Sequence, residues 1–262
     1  MLMRLAGLAV VAGIALELAA SAAIAEELGW GRAWEDIRSD YREFYEFENL
    51  RWVYGGVVAG ALLANTDVDE QVDEWYQEDI RGRASDRLSK LTREFGEGLI
   101  TVPVFAAAVA APLLLPDYEL APLAGEWGER CLRSLLVGLP PMFLIQQVTS
   151  HTRPIADKNE GWGSDDNKGV SGHAFMGAVP FVTAAKMSES IPVKAACYAA
   201  SFLSGISRIN DEGHYLSHVL LGWGLAYWSA SAVDRTESTR QPVAMFSGFS
   251  GPYATLGVRI DF

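Results

Sequence analysis

The chain carries polar residues whose types suit the chemistry of phosphate esters. They stand close together in the second half of the sequence: Arg153, Ser171, Gly172, His173, Arg208 and His214. A guanidinium group can bind two phosphate oxygens at once, and the backbone N–H groups at the start of a helix attract an anion. An imidazole with a pKa near neutrality can attack phosphorus or protonate a leaving oxygen. Together these residue types predict a phosphate pocket that also performs acid–base chemistry.

Each of these residues stands where an apolar segment begins or ends. Arg153 follows one segment, Ser171-Gly172-His173 opens the next, Arg208 closes the third and His214 opens the fourth. In a bundle of helices that run alternately up and down, those four places lie at one end. We therefore expect the arginines, the histidines and one helix N-terminus to meet in a single pocket.

The elements that must position these residues are apolar segments of helical length. They cover residues 99–115, 131–148, 173–187, 192–207 and 214–233, and Pro140-Pro141 should kink the second of them. The segments predict an all-α helical bundle whose core covers residues 99–233. Residues 26–98 are predicted to be an amphipathic, interfacial region. Residues 234–262 are predicted to be a short tail, either a hairpin or irregular.

The charge balance excludes one class of phosphate-bearing partner. Asp and Glu outnumber Lys and Arg by 33 to 21, which gives a formal net charge of -12. Nucleic acids require a basic face, so we expect no nucleic-acid partner and a phosphate held by local cations. Cys131 and Cys197 both lie in apolar runs, which favours small core residues over a disulfide or a metal site.

Three motifs make the chain resemble the type 2 phosphatidic acid phosphatase superfamily, which includes the vanadium haloperoxidases. The family pattern is Lys-x6-Arg-Pro, then Pro-Ser-Gly-His, then Ser-Arg-x5-His-x3-Asp. This sequence has Gln146-x6-Arg153-Pro154, Val170-Ser171-Gly172-His173 and Ser207-Arg208-x5-His214-x3-His218. The order and the spacings agree, and three motifs in register are far more specific than any one alone. The resemblance covers residues 99–233 and implies a helical bundle of the family's kind.

The resemblance also implies a role for each motif residue. His214 would be the nucleophile that forms a phosphohistidine, and His173 would protonate the leaving alkoxide. The phosphate would be bound by Arg153, Arg208, Ser171 and Gly172, with Gln146 as a neutral donor at the position of the family lysine. The implied mechanism uses no metal and no cofactor.

Two positions depart from the family pattern. Gln146 replaces the lysine, so one phosphate-binding cation is lost, and His218 replaces the aspartate that orients the nucleophile. Four residues along a helix place His218 on the same face as His214. There a neutral imidazole can accept a hydrogen bond from His214 but offers no negative charge. We expect His218 to be catalytic, with a structural role as the alternative, and we expect Asp211 or Glu212 to supply the missing charge.

Segments around the motifs are expected to select the substrate. The loop 155–169, which contains Trp162, and the region 66–98 are the predicted walls of the entrance. His151, just before the first arginine of the motifs, is interpreted as a loop or rim residue.

The N-terminus predicts delivery across a membrane. Residues 1–25 are apolar after Arg4, end in a possible cleavage site at Ala23-Ile24-Ala25, and are expected to be a signal peptide or an anchor helix. If residues 1–25 deliver the chain to the outer side of the membrane, and residues 52–65 do not cross it, then the motifs lie on the outer side. With the resemblance to envelope phosphatases, this predicts a bacterial cell membrane protein whose site faces the periplasm. A soluble periplasmic bundle is the alternative, because several apolar segments are short for a span.

The leading interpretation is a phosphomonoesterase, of the acid phosphatase or phosphatidic acid phosphatase type, that acts on a phosphorylated lipid or a small phosphate ester. One alternative is a catalytically weak or inactive envelope protein that binds a phosphate or a lipid headgroup, which Gln146 and His218 favour. The other is a vanadate-dependent haloperoxidase, against which the missing lysine and the short chain weigh.

Overall fold

The computed structural model describes residues 30–149, 151–156, 162, 169–240, 243–250 and 253–260. A division between Ser39 and Asp40 separates the chain into two units. The described part of the first unit is the beginning of helix α1, Trp30–Phe44. The predicted signal or anchor segment, residues 1–25, lies outside the described residues.

The second unit is a helical bundle, which confirms the predicted all-α fold. After α1, the helices are α2 Phe47–Ala64, α3 Val68–Trp75, α4 Arg83–Thr92, α5 Gly98–Leu114, α6 Ala121–Thr149, α7 Gly172–Met187, α8 Ile191–Ala200, α9 Leu203–Asn210 and α10 Leu216–Arg240. A π-helical turn, Tyr76–Ile80, and two 3-10 turns, Arg93–Gly96 and Pro154–Ala156, connect them. The tail forms an antiparallel hairpin of β1, Val243–Ser250, and β2, Tyr253–Ile260, the first of the two predicted possibilities.

Helix α7 lies at the centre of the core. Its inward residues Phe175, Val179 and Val182 are fully buried, and the helix packs against α6 and α10. Small residues allow the close approach, because a Cβ on Gly138 of α6 would lie 2.6 Å from the Phe175 ring. The N-terminus of α7, which carries the second motif, is therefore fixed from two sides.

Helix α6 runs without a break through the Pro140-Pro141 pair that was expected to kink it. Pro140 has no N–H group, so it cannot donate to the Leu136 carbonyl one turn earlier. The Tyr41 hydroxyl donates to that carbonyl instead, at 2.6 Å. The freed acceptor is thereby satisfied inside the bundle, as buried backbone groups require.

A buried ion cluster joins α1, α6 and α10. The Arg133 guanidinium donates to both carboxylate oxygens of Asp40, at 2.7 Å and 2.8 Å, and also contacts Glu237 and Glu129. The side chains of Arg133 and Asp40 are 5% and 0% exposed. A pair this deeply buried is stable only because several hydrogen bonds satisfy it, and loss of one partner typically costs about 3–5 kcal/mol.

The predicted segment 192–207 is divided into two helices, α8 and α9. The break falls at Ser201, whose hydroxyl donates to the Tyr198 carbonyl at 2.6 Å. The same hydroxyl accepts from the Trp223 indole of α10 at 2.8 Å. A serine side chain that bonds the preceding backbone competes with the helical ladder, so the turn between α8 and α9 is stabilised by the neighbouring helix.

One described helix, α6, is long and apolar enough to cross a membrane. The pair Arg83–Gly96 and Gly98–Leu114, bent by 56°, would be a second candidate if it were counted as one span. In the most apolar window of α6, 44% of the residues are buried inside the protein. These helices are a weak indication of membrane association.

Candidate active site

The N-terminus of α7 forms one side of the site. The Ser171 hydroxyl caps the helix by accepting from the Ala174 N–H at 3.2 Å, and the Ser171 N–H donates to the His218 carbonyl at 3.0 Å. No described heavy atom lies within 4 Å of the place where a Cβ on Gly172 would be. The first N–H groups of a helix lack partners within the helix, so this open N-terminus can receive an anion.

Backbone hydrogen bonds hold the three motifs together. The Ile155 N–H, next to Arg153-Pro154, donates to the Glu212 carbonyl at 3.2 Å. The N–H groups of Gly213 and His214 both donate to the Arg208 carbonyl, at 2.8 Å and 3.2 Å. Glu212 has a φ of 53°, a left-handed conformation that reverses the chain between α9 and α10. The loop before His214 and the segment after Arg153 are therefore held together by backbone hydrogen bonds.

Two guanidinium groups are held in the site with incomplete hydrogen bonding. The Nε atoms of Arg153 and Arg208 are buried and have no hydrogen-bond partner among the described residues. Arg208 Nη1 lies 3.4 Å from Asp211 Oδ2, and Gly213 leaves room for the guanidinium, because a Cβ there would lie 2.1 Å from Arg208 Nη2 and would displace it. Burial and then the Arg153 charge lower the pKa of Arg208. A bound anion would offset both the cost of burying the Arg208 charge and its repulsion by Arg153.

His173 lies at the open side of the site. Its side chain is 37% exposed, and its Nε2 lies 3.8 Å from Glu97 Oε2. Burial lowers the pKa of His173, the Arg208 charge lowers it further, and the Glu97 charge opposes them. The surroundings therefore make His173 a weaker base than a free histidine, and the Glu97 carboxylate partly offsets this effect.

Three histidines form a hydrogen-bonded row, His214, His218 and His151, which we call the histidine row. His214 Nδ1 lies 3.2 Å from His218 Nδ1, and His218 Nε2 lies 2.6 Å from His151 Nδ1. His218 and His151 are fully buried, and His214 is nearly so. Burial and the neighbouring His151 lower the pKa of His218 to about 3. Burial and His218 hold the pKa of His214 well below its usual range, so both rings are neutral at pH 7.

Asp69, on α3, lies beside this row. It is fully buried, and it accepts hydrogen bonds from the Ser217 N–H at 2.9 Å and the Ser217 hydroxyl at 2.5 Å. Burial raises the pKa of Asp69, and two hydrogen bonds from Ser217 and the electrostatic effect of His151 partly offset this rise. The carboxylate therefore fixes the first turn of α10 one residue before His218 and interacts electrostatically with His151.

The structure brings together every motif residue that the sequence singles out, but some contacts differ from expectation. Gln146 Nε2 donates to the Val170 carbonyl at 3.2 Å, so it supports the backbone of the second motif. Asp211 accepts from the Ser89 hydroxyl at 2.7 Å, and Glu212 pairs with Arg81 at 2.9 Å. These contacts of the two acids lead away from His214, against the expectation that one of them supplies its missing charge.

His151 lies between α6 and the 3-10 turn Pro154–Ala156, which agrees with the interpretation as a loop residue, but it is fully buried and is therefore not a rim residue. Its position beside the motifs was a usable signal, since all the histidines of the chain lie in or next to them. Asp69 gave no such signal, because it lies in an acidic run on an unrelated helix. Gly213 was also missed, and only the proximity of Arg208 reveals that a side chain at this position would displace the guanidinium.

The predicted entrance walls are described in part. Trp162 is partly buried, and its backbone N–H donates to Asn65 at 3.2 Å, but most of the loop 155–169 lies outside the described residues. In the region 66–98, Glu97 faces His173, and the Arg93 charge acts on both His173 and Arg208. The turn before α5 therefore borders the site.

Comparison with known proteins agrees with the geometry. The family model described as the PAP2 superfamily matches residues 132–241. The match begins in α6, ends at the close of α10 and contains all three motifs. No curated protein and no solved structure matches the chain.

Proposed function

Because the chain belongs to the PAP2 superfamily, whose members are generally phosphatases, we propose that it hydrolyses a lipid phosphate or diphosphate through a phosphohistidine at His214. One observation carries this proposal: among the described residues, Arg153 and Arg208 have buried Nε atoms without a hydrogen-bond partner, beside the open N-terminus of α7 and a neutral imidazole. Cations with unused hydrogen-bond donors, next to a nucleophile that is free of a proton, fit a phosphate monoester better than a neutral substrate.

In the proposed reaction, the Nε2 lone pair of His214 attacks phosphorus and the phosphorus–oxygen ester bond breaks. The leaving alkoxide takes the proton of protonated His173. Water then attacks the phosphohistidine, gives a proton back to His173, and inorganic phosphate is released. Arg153, Arg208, Ser171 and Gly172 hold the non-bridging oxygens throughout, so their charge and N–H groups stabilise the charge that develops on them.

The test of this function is release of inorganic phosphate by the purified protein. We expect turnover of phosphatidate or an isoprenyl diphosphate in mixed micelles, and no turnover by His214→Gln, which keeps a polar side chain of similar reach. Equal background release by both proteins would rule out the phosphatase. Binding of a lipid headgroup without turnover would support the non-catalytic alternative, which the backbone-directed Gln146 favours. Bromide oxidation that requires vanadate would indicate a haloperoxidase.

We further propose that the protein works at a membrane, with the site on the outer side of a bacterial envelope. Helix α5, Gly98–Leu114, contains no charged residue. Large apolar side chains are exposed on α5 and α6, among them Leu99, Val104, Leu114, Phe143, Leu144 and Val148. Exposed apolar surface of this extent marks an interaction site, and its position near the pocket suits a lipid substrate. Recovery of the detergent-free protein in the aqueous fraction, away from added vesicles, would contradict this proposal.

The pKa of His173 predicts an acidic pH optimum. A general acid must be protonated, so kcat/KM falls as pH rises through the pKa of His173, which lies below 6.5. Glu97→Gln removes the charge that raises this pKa but keeps an oxygen for the Leu99 N–H that Glu97 caps. The alkaline limb of the kcat/KM profile should therefore move to lower pH, by roughly 0.5 to 1 unit.

The control is Glu119→Gln, an exposed carboxylate in the turn after α5, at the far end of that helix from Glu97. It should leave the limb in place. An upward shift in Glu97→Gln, or no shift, would refute the assignment of His173 as the acid.

The buried histidines limit the pH range for this measurement. Burial lowers the pKa of His218 to about 3, so the unfolded state binds a proton below pH 6.5 that the folded state refuses. The free energy of unfolding is therefore unaffected by this histidine above pH 6.5 and falls by up to about 1.4 kcal/mol for each pH unit below it. Rates should therefore be compared only where circular dichroism shows the folded protein.

A further inference from the structure

The histidine row can be oriented in only two ways. A neutral imidazole has one N–H donor and one lone pair, so the neutral His218 ring donates to one of its two neighbours and accepts from the other, and both hydrogen bonds of the row point in the same direction. If they point from His214 to His151, then His214 carries its proton on Nδ1 and its Nε2 lone pair is free. If they point the other way, His214 Nε2 carries the proton and cannot attack phosphorus. The direction of the row therefore decides whether the nucleophile is active.

Charges of opposite sign lie at the two ends of the row. Arg153 and Arg208 act on His214 and lower its pKa after the effects of burial and His218. At the other end, Asp69 interacts electrostatically with His151. A field from guanidinium groups towards a carboxylate draws each N–H proton away from the phosphate pocket, because charges act strongly in a buried site of low dielectric constant.

Packing holds the row in register with Asp69. Ser217, which donates twice to Asp69, precedes His218 in α10. The Tyr215 ring stacks on His151 with centroids 5.2 Å apart and meets His218 edge-on at 5.7 Å. The carboxylate and the row are thus bound to the same helical turn, and neither can shift without the other.

We propose that Asp69 is a positioning residue that acts through His151 and His218 and takes over the role of the single carboxylate that His218 replaces. This inference rests on the proposed function of His214 as nucleophile. Asp69 orients the row so that His214 Nε2 is unprotonated. As Nε2 bonds to phosphorus and the ester bond breaks, the positive charge on His214 is stabilised by Nδ1–H donation to His218, whose own N–H donates to His151. When water cleaves the phosphorus–nitrogen bond, the electron pair returns to Nε2 and the row regains its resting state.

A double-mutant cycle tests the proposal. Asp69→Asn removes the charge and keeps an oxygen for the Ser217 N–H, while its NH2 group can donate to the Ser217 hydroxyl in place of the lost acceptor. It should lower kcat about tenfold or more with little change in KM. His218→Asp places a carboxylate directly at His214 Nδ1. In that background, Asp69→Asn should cost at most about a fifth of the fold-change it causes in the native protein. An equal fold-change in both backgrounds would mean that Asp69 acts only on folding, and would overturn the proposal.

A second measurement does not require turnover. Nitrogen-15 NMR of the resting protein at pH 7 should show His214 as the Nδ1–H tautomer, and Asp69→Asn should shift it towards Nε2–H. The matched control is Asp86→Asn, the same chemical change at a carboxylate that bonds Asn210 and Arg81, which should leave the tautomer unchanged. An unaltered tautomer in Asp69→Asn would overturn the proposal.

The two measurements separate this inference from the function on which it rests. If the wild-type protein released no phosphate, the proposed function would fail, while the tautomer of His214 would still report whether Asp69 orients the row. If phosphate were released and the tautomer did not respond to Asp69, the function would stand and the inference would fail.

Discussion

Replacing His214 with glutamine is expected to lower phosphate release by on the order of 10³-fold or more, because the side chain proposed to form the covalent intermediate is lost. His214 is 4% exposed, and its imidazole bonds to His218. Brief reaction of the wild-type protein with labelled substrate, followed by alkaline quenching, should trap an acid-labile phosphoprotein. His214→Gln should trap none.

The variant His173→Gln separates the two histidines. His173 is expected to protonate a poor leaving group, so its loss should slow an alkyl phosphate far more than p-nitrophenyl phosphate, whose leaving group needs no proton. The trapped phosphoprotein should then accumulate, because the base that activates water is also missing. Equal losses on both substrates in His173→Gln would contradict this division of roles.

The second large effect is expected at Arg208. Arg208→Met removes a phosphate-binding charge whose Nε is buried and unpartnered among the described residues. Loss of one member of a buried, hydrogen-bonded charge pair costs about 2–5 kcal/mol, so kcat/KM should fall roughly 10²- to 10³-fold. Arg208→Lys should recover only a small part, since an ammonium group cannot replace the bidentate fork.

The same substitution is expected to raise the Tm of the empty protein. Burial and the Arg153 charge both lower the pKa of Arg208, so the unliganded site contains a buried cation that its surroundings disfavour. Added inorganic phosphate should raise the Tm of the wild-type protein and affect that of Arg208→Met much less. A fall in Tm in the empty variant would contradict this account.

The control for both measurements is Arg235→Met. This arginine pairs with Glu43 and lies towards the end of α10 that is remote from His214, so activity and the response to phosphate should persist.

The motif residues could be placed from the sequence because their chemistry is local. Ser171 caps α7, Arg208 ends α9 and His214 stands before α10, and each position follows from where an apolar segment begins or ends. The helical bundle then requires these ends to meet. The continuity of α6 could not be predicted in this way, since it depends on Tyr41, 95 residues from the carbonyl that Pro140 leaves free.

The contact between Asp69 and Ser217, beside the proposed nucleophile, could not be predicted either, because it also joins residues that are far apart in the sequence. Spacing placed His218 beside His214, but no spacing relates Asp69 to Ser217, which are 148 residues apart. Asp211 and Glu212 are the predicted replacement carboxylates because they are near His214 in sequence, but in the fold Asp211 bonds to Ser89 and Glu212 pairs with Arg81. A carboxylate on another helix, such as Asp69 on α3, can be identified only from the way the helices pack.

The ion cluster around Arg133 also bears on how the protein is made. Its partners lie 93 residues earlier, at Asp40, and 104 residues later, at Glu237. A chain synthesised from its N-terminus reaches Asp40 first, so Arg133 is incompletely neutralised until the ribosome has produced almost all of α10. A buried arginine with too few partners is costly, and α6 is therefore expected to settle into the core last. The helix that completes this cluster also carries His218 and begins two residues after His214, so the nascent protein acquires its proposed nucleophile and closes its core in a single late step.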